Sequence, residues 1–448
     1  MSIEKKISIL NLLTKEQSPV NLKVSLDPYY IEILNGIFYN KKFEGFNIFD
    51  CFNKFNVFLQ DNGWAPLCNG VRADAVTSGM LAQTSEGMSV YLFTEKNSKG
   101  ERKIAGIFEP VSEDLVATID QQKDFLQKNI LSSFKKKPDE INISLSDRYS
   151  GCMLGLACGD AVGAAVELRK PGTFFHLTDM VGGGPYNLKA GQWTDDTSMA
   201  LCLAASLIEN HNKEDDGFNP KDQVKKYIQW RDTGYMSSIG RCFDIGNTVA
   251  TALNEFSRTN EPYSGPTDRY SAGNGSVMRL APIPLRYFNS IEKTARYAEL
   301  SSKVTHGAEE AVDACHLFSL LINKALQGES KESILFETEP LKKLSPEINK
   351  IRKGSYTLKT RREICGKSYV INSLEAALWC FYTTSNLEEA ILKSANLGND
   401  ADTTAAICGQ LAGAHYGEKS IPEHWKEKLT EYKMIKNIAK KLYDIRLN

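Results

Sequence analysis

The sequence predicts a mainly α protein, with an all-helical C-terminal domain behind a smaller α+β domain. Three observations carry this. The chain has 448 residues, too many for one ordinary domain. From Arg148 onward, long segments repeat their apolar residues at helical spacing and scarcely alternate with period two. Before residue 131 the pattern is mixed, and a polar stretch without periodicity separates the halves.

In the first part, GMSVYLFTEKNSKGERKIAGIFEPV reads as two strands joined through Asn97 to Gly100, a hairpin by its turn residues. Ser112 then stands as a cap before Leu115, Ile119, Leu126 and Ile130, whose spacing is helical. Residues 132–147 carry a proline and no periodicity, so they read as a linker between domains at 1–131 and 148–448. In the second domain the clearest helices are Thr197 to Ile208, Ile291 to Ser302, Glu309 to Ala325 and Ser373 to Thr383. Glycine- and asparagine-rich loops join them, and no repeat of fixed period is visible.

Composition narrows the setting. With 42% hydrophobic and 24% charged residues the chain has the make-up of a globular protein with a real core. The formal charge is −1 and the longest basic run is Lys135 to Lys137, which speaks against sequence-independent nucleic-acid binding and leaves a nucleic-acid acceptor open. The ten cysteines form no CxxC pair; Cys158, Cys202, Cys380 and Cys408 sit in apolar segments, as small hydrophobes in a reducing compartment do. The start, MSIEKKISILNLLTKEQSPV, lacks a secretion pattern, and no run of eighteen apolar residues occurs. The expectation is a cytoplasmic protein with no membrane partner.

The chemistry gathers in a few stretches. In GCMLGLACGDAVGAAVEL, Gly151, Gly155, Gly159, Gly163 and Glu167 fall four apart on one helix ridge. A helical glycine costs up to about 1 kcal/mol against alanine, so close approach of another backbone is the plain reason for the row. Glu167 is a carboxylate delivered to the place where that helix runs out. In GQWTDDTSMALCLAASLIEN, Thr194, Asp195 and Asp196 precede an amphipathic helix; in GNDADTTAAICGQLAGAHYG, Asp400, Asp402 and Thr403 do the same. Singly, each cluster is an ordinary helix cap. Jointly they offer four carboxylates and two hydroxyls, hard oxygen donors that suit Mg²⁺, Mn²⁺ or Ca²⁺ rather than zinc. Converging without a cation, those charges would repel strongly, so a two-metal site accounts for the pair better than two independent caps.

Between the clusters, Gly273, Asn274, Gly275 and Ser276 of SAGNGSVMRLAPIPL could turn backbone N–H groups to a phosphate. GRCFDIGNT contributes Asp244, Gly246 and Asn247 to a further loop, and His306 opens a helix in SSKVTHGAEEA, where cap, core and ligand roles are all open. Standard motifs fail: RREICGKS has Arg361 where a phosphate loop needs its first glycine, and GNGSVM lacks the third glycine of a dinucleotide fingerprint. No G-x-S-x-G or H-E-x-x-H occurs.

Together, GCMLGLACGDAVGAAVE, GQWTDDTSMALCLAASL, CFDIGNT, GNGSVMRLAPIPL, THGAEEA, NSLEAALWCF, NLGNDADTTAAICGQLAGAHYG and IPEHW resemble the ADP-ribosylglycohydrolase family, which includes the hydrolase that reactivates dinitrogenase reductase. They keep the family's order and run from about Arg148 to the C-terminus. The resemblance implies an all-α domain with two magnesium ions at the base of a cleft. It makes Thr194, Asp195, Asp196, Asp400, Asp402 and Thr403 the metal ligands, with Glu167 as the glutamate that closes over the metals and assists the chemistry. By the same resemblance, Gly275, Ser276 and His306 surround the ADP-ribose, next to Asn274. One departure is Asn399, where a second glycine is usual, which bears on the local turn.

The implied reaction is metal-dependent hydrolysis of an ADP-ribosyl bond, with arginine-linked protein as the favoured substrate. The other class of reading is a non-catalytic binder of ADP-ribose or of a toxin. Residues 1–131 lie outside the resemblance. Their most distinctive stretch, DNGWAPLCNGVRADAVTSGML, places Trp64, Cys68, Asn69, Arg72 and Asp74 around tight turns, as core packing or as a recognition surface. Some family members protect against ADP-ribosyltransferase toxins, and an added domain could take part in such blockade.

Overall fold

A computed structural model describes residues 2–45, 47–76, 85–96, 102–118, 121–122, 125 and 143–446. It divides into two units, Met1–Ile141 and Asn142–Asn448.

In the first unit, β1 (Ser2–Asn11), β2 (Gln17–Leu26), β3 (Tyr29–Ile33), β4 (Lys42–Glu44) and, after helix α1 (Ile48–Asp61), β5 (Trp64–Pro66) form an antiparallel sheet in the order β4-β3-β2-β1-β5. Period-two burial puts Ile7, Ile9, Val20, Leu22, Val24, Ile31 and Ile33 in one core. Helix α1 joins that core through Ile48, Cys51, Phe52, Phe55 and Leu59, and the Asn47 side chain caps it by accepting from the Asp50 N–H. A second sheet holds β6 (Ala75–Val76), β7 (Ser89–Lys96) and β8 (Arg102–Gly106). Strands β7 and β8 pair antiparallel as the hairpin reading requires, while its turn at Asn97 to Gly100 lies outside the described residues.

The helix expected from Ser112 is displaced. Ser112 makes no cap bond, and only a single 3-10 turn, Glu113–Leu115, follows before Val116 returns to extended backbone. The reciprocal cap forms at Thr118 and Gln121 instead: each backbone N–H donates to the other's side chain, at 2.8 and 3.1 Å. Ile119, Leu126 and Ile130 lie outside the described residues. Trp64, Cys68, Asn69, Arg72 and Asp74 are packed into this unit; Arg72 and Asp74 form a buried, two-bond ion pair at 2.8 and 3.1 Å.

The second unit is helical: α2 (Leu145–Gly163), α3 (Asp195–Asn210), α4 (Pro220–Thr233), α5 (Asn247–Thr259), α6 (Pro282–Arg286), α7 (Ile291–Lys303), α8 (Glu309–Gln327), α9 (Lys331–Phe336), α10 (Pro346–Arg352), α11 (Val370–Tyr382), α12 (Leu387–Ala395), α13 (Ala401–Tyr416), α14 (Glu423–Lys428) and α15 (Tyr432–Ile445). Ser144 caps α2 by accepting from the Asp147 N–H, so this helix starts three residues inside the stretch read as linker. The segment Leu145–Val166 has the length and, over its most apolar eighteen residues, the mean hydropathy, 1.3, of a membrane-spanning helix, yet 94% of that stretch is buried. Counting unbroken apolar runs misses this, because Ser150 and Asp160 interrupt the run.

The glycine row of α2 meets an equally small row on α13. A Cβ at Gly151 would strike the Gly413 carbonyl, one at Gly155 the Gly409 carbonyl, one at Gly159 the Ala405 carbonyl and one at Gly163 the backbone of Asp402. Two backbones therefore touch along about three and a half turns of α2, from Gly151 to Gly163. That contact sets Asp160 of α2 beside Asp402 of α13.

Candidate active site

The site forms where α2 ends and α3 and α13 begin. Neither helix start is capped by its own cluster: Thr194 and Asp400 occupy the N-cap positions and make no side-chain cap bond. The first turn of α3 is satisfied from another helix. Asp160, fully buried, accepts the Thr194 and Thr197 N–H groups at 2.8 and 3.0 Å and both their hydroxyls at 2.9 and 2.6 Å. This frees Asp195 and Asp196 from capping, the plain alternative to a metal role.

Carboxylate oxygens of Asp160, Asp196 and Asp402 lie within 4.8 Å of one another, and so do those of Glu167, Asp244 and Asp402. Asp402 belongs to both groups. The Thr194 hydroxyl touches Asp160, Asp196 and Asp402 at 2.9, 3.1 and 3.3 Å, yet it has a single hydrogen to donate. Buried oxygens are left over: Asp196 Oδ1, Asp402 Oδ1 and Glu167 Oε2 have no partner among the described residues. Orphaned, desolvated carboxylate oxygens facing one another are the donor set of a hard divalent cation, so the residues fit such an ion. Without one they resist ionisation. Burial first, then mutual repulsion, pushes Asp195, Asp196 and Asp402 well above ordinary carboxylate values. Glu167 is pushed up to about 9 by burial and by Asp244 and Asp400. Burial likewise raises Asp244 to about 7 and Asp160 to about 6.

Of the residues singled out in the sequence, Asp196, Asp402 and Thr194 stand in the first group and Glu167 in the second. Asp195 is buried next to Asp196 but belongs to neither three-oxygen group. Asp400 is half-buried and accepts from the Asn274 amide at 3.0 Å, which ties the glycine loop to the cluster. Thr403 is buried with its hydroxyl 3.8 Å from the Met278 sulfur. The N–H groups of Gly273 and Asn274 are bonded to Ser271 and Ser368, whereas those of Gly275 and Ser276 find no acceptor among the described residues and stay available to an anion. The Ser276 hydroxyl is spent inside the core on Ser302 and Cys315, so this residue has only backbone to offer. His306 is buried beneath the loop; burial first, then the Arg279 charge, lowers its pKa to about 3. Asn399 takes φ +60, a left-handed conformation that asparagine tolerates, and the turn closes through backbone bonds with Leu168 and Arg169, both 2.7 Å.

Sequence reasoning missed Asp160 as a site residue and left Asp244 as an unassigned loop carboxylate. Asp160 carried a usable signal: it is the one charged residue between Arg148 and Glu167, in an otherwise apolar helix. Asp244 carried none of that kind. Its placement rests on Tyr186, whose hydroxyl donates to Asp244 Oδ1 at 2.6 Å.

Comparison with known proteins gives the family. Residues 142–447 match the model of the ADP-ribosylglycohydrolase family. The ADP-ribosylarginine hydrolase Tri1 of Serratia proteamaculans is 35% identical over 381 residues, covering 83% of this chain and 97% of its own length. That alignment is longer than the helical unit, so it takes in part of the first unit as well. The ADP-ribosylarginine hydrolase Tri1 of Pseudomonas putida is 42% identical over 66% of this chain and 78% of its own, and the ADP-ribosyl-[dinitrogen reductase] glycohydrolase of Rhodospirillum rubrum is 29% identical over 64% and 91%. A solved structure described as an ADP-ribosylglycohydrolase-related protein complex aligns with TM-score 0.59 and 38% identity, over 68% of this chain and 99% of that one. The chain belongs to the ADP-ribosylglycohydrolase family, and it is an ADP-ribosylglycohydrolase.

Proposed function

We propose that this enzyme removes ADP-ribose from arginine side chains of modified proteins, with two divalent cations, Mg²⁺ in the first place and Mn²⁺ as a substitute, held by the acidic cluster. The observation that carries the metal is the orphaned oxygens of Asp196 and Asp402, buried among further carboxylates around the shared Asp402. The acceptor rests on the two relatives named ADP-ribosylarginine hydrolase. Water adds across the glycosidic bond: the bond from the ribose anomeric carbon to the guanidine nitrogen breaks, a carbon–oxygen bond forms, and free ADP-ribose leaves an unmodified arginine.

Asp195, Asp196, Asp400 and Asp402 would hold the cations with Thr194 and Thr403, while Asp160, its oxygens taken up by Thr194 and Thr197, fixes the start of α3 beside them. When bound, the cations supply charge that offsets the carboxylates and makes a water more acidic. Glu167, with Oε2 free, moves the proton, taking it from the water and handing it to the departing nitrogen. The Gly275 and Ser276 N–H groups hold the anionic diphosphate. Release of ADP-ribose from an arginine-linked protein, with Mg²⁺ and after chelation, tests this reading. Metal-dependent release is expected; equal release without metal, or none from this linkage, overturns it.

A cytoplasmic enzyme reversing the action of an ADP-ribosylating toxin, with the first unit as a recognition or blocking part, extends the same reading. Its support is that the Serratia alignment runs into that unit. Inhibition of an ADP-ribosyltransferase by a hydrolytically dead variant would test it.

A further inference from the structure

Arg279 is fully buried and has no charged partner among the described residues. Its Nη1 donates to the Gly275 carbonyl at 2.6 Å and its Nη2 to Thr305 Oγ1 at 2.6 Å, with the Ser301 carbonyl at 3.5 Å. Its guanidinium carbon lies 4.8 Å from the centre of the Tyr227 ring, and Nε is without a partner among the described residues. A buried cation among neutral groups is expensive, so its place behind the glycine loop calls for a purpose.

The Thr305 hydroxyl has two polar contacts, Arg279 Nη2 and His306 Nδ1 at 2.8 Å. A guanidinium can only donate. The hydroxyl therefore accepts from Arg279, and its own hydrogen has one destination, His306 Nδ1. A nitrogen that accepts carries no proton, so in the neutral ring the proton is on Nε2. That side of the ring lies against the loop: a Cβ on Gly275 would stand 2.7 Å from His306 Cε1 and 3.1 Å from Nε2, and one on Gly273 3.3 Å from Nε2. Glycine is what lets the ring sit there.

We propose that Arg279 is a positioning residue: through Thr305 it holds His306 in the tautomer protonated on Nε2, presenting one fixed donor beside the Gly275 and Ser276 N–H groups. The acceptor is an oxygen of the ADP-ribosyl ligand, and for that ligand alone the inference rests on the function proposed above.

The test uses the full-length protein labelled with ¹⁵N-histidine, its six histidines assigned by single substitutions. In the ligand-free wild type, His306 is expected to show an unprotonated Nδ1 and a protonated Nε2. Arg279→Met frees the Thr305 hydroxyl to accept from the ring, and both nitrogens should move to intermediate shifts. A protonated Nδ1 in the wild type, or wild-type shifts in a folded Arg279→Met protein, overturns the proposal. Should that variant fail to fold, Thr305→Val and Thr305→Ser decide. Calorimetric affinity for free ADP-ribose should fall about tenfold in the valine variant and stay near wild type in the serine variant, the scale of one hydrogen bond. Equal affinity of all three proteins overturns the proposal. The ring-nitrogen measurement needs no substrate, so its failure is distinguishable from failure of the arginine-linked reading.

Discussion

Both units of this protein bury carboxylates, and they treat them in opposite ways. In the first unit Asp74 is enclosed by donors: Arg72 grips it with two bonds, Thr94 adds its N–H and its hydroxyl, and Arg72 turns its remaining nitrogen to Glu95 at 2.6 Å. Burial pushes Asp74 up, but the bonds from Arg72 and Thr94 outweigh it and hold the carboxyl below its ordinary range. In the helical unit, Asp196 and Asp402 are set against each other and against Asp160 with no basic side chain among their described hydrogen-bond partners, and Asp196 Oδ1 and Asp402 Oδ1 stay unpartnered among the described residues. The first arrangement is closed and structural. The second leaves buried oxygens of the kind a divalent cation would satisfy.

Breaking the shared member of the open cluster should have the largest effect. Asp402→Asn is expected to lower ADP-ribose release by about 10⁴-fold, or about 5.5 kcal/mol of barrier. In chelator its melting temperature should rise by about 2–4 °C, because a carboxyl that burial and its neighbours penalise is gone. A variant both inactive and less stable without metal would sink the account of a strained cluster. Removing the closed pair acts the other way. Asp74→Ala leaves the buried Arg72 with Glu95 as its remaining carboxylate and two nitrogens unpaired, and should cost about 2 kcal/mol in urea unfolding of the full chain. An unchanged unfolding midpoint would place Asp74 outside the stabilising contacts.

Glu167→Gln tests the proton carrier. Release should fall about 10²-fold, while Mg²⁺ affinity, read by calorimetry, changes little. A loss of metal affinity equal to that of Asp402→Asn would make Glu167 a plain ligand instead. The smallest effect separates the units by pH. Asp74 has a lowered pKa, so its stabilisation is present above ordinary carboxylate values and lost as pH falls through its folded value. Asp160, Asp244 and Glu167 are raised to about 6, 7 and 9, so the metal-free helical unit is most stable below ordinary carboxylate values and loses stability as pH rises from there up to each folded value. Melting curves in chelator should drop by a few degrees between about pH 4 and 9, most steeply below about pH 6, and flatten when Mg²⁺ is added. A flat curve without metal would count against the raised carboxyls.

Much of the helical unit was legible because its signals are local. Thr197 to Ile208 and Glu309 to Ala325 announce themselves by apolar spacing, and both fall inside helices of nearly those bounds. The two acidic helix starts were legible for the same reason. Ser112 shows the limit: it has the chemistry of a cap, but the chain returns to extended backbone at Val116, and Thr118 with Gln121 takes the role. Cap propensity alone cannot choose between neighbouring candidates when tertiary pairing claims one of them.

By itself the sequence determined that carboxylates and hydroxyls gather at two helix starts, that a glycine row wants a close neighbour, and that the second half is helical. Cap residues, small-residue rows and apolar periods are written within a few turns of chain. Which oxygens meet was decided only by the tertiary structure. Asp160 reaches Asp196 and Asp402 because the glycine row of α2 lets it lie against the backbone of α13. Asp244 arrives from a loop held by Tyr186. Convergence of charge depends on distances between segments far apart in sequence, and those distances are set by how closely two backbones can pack.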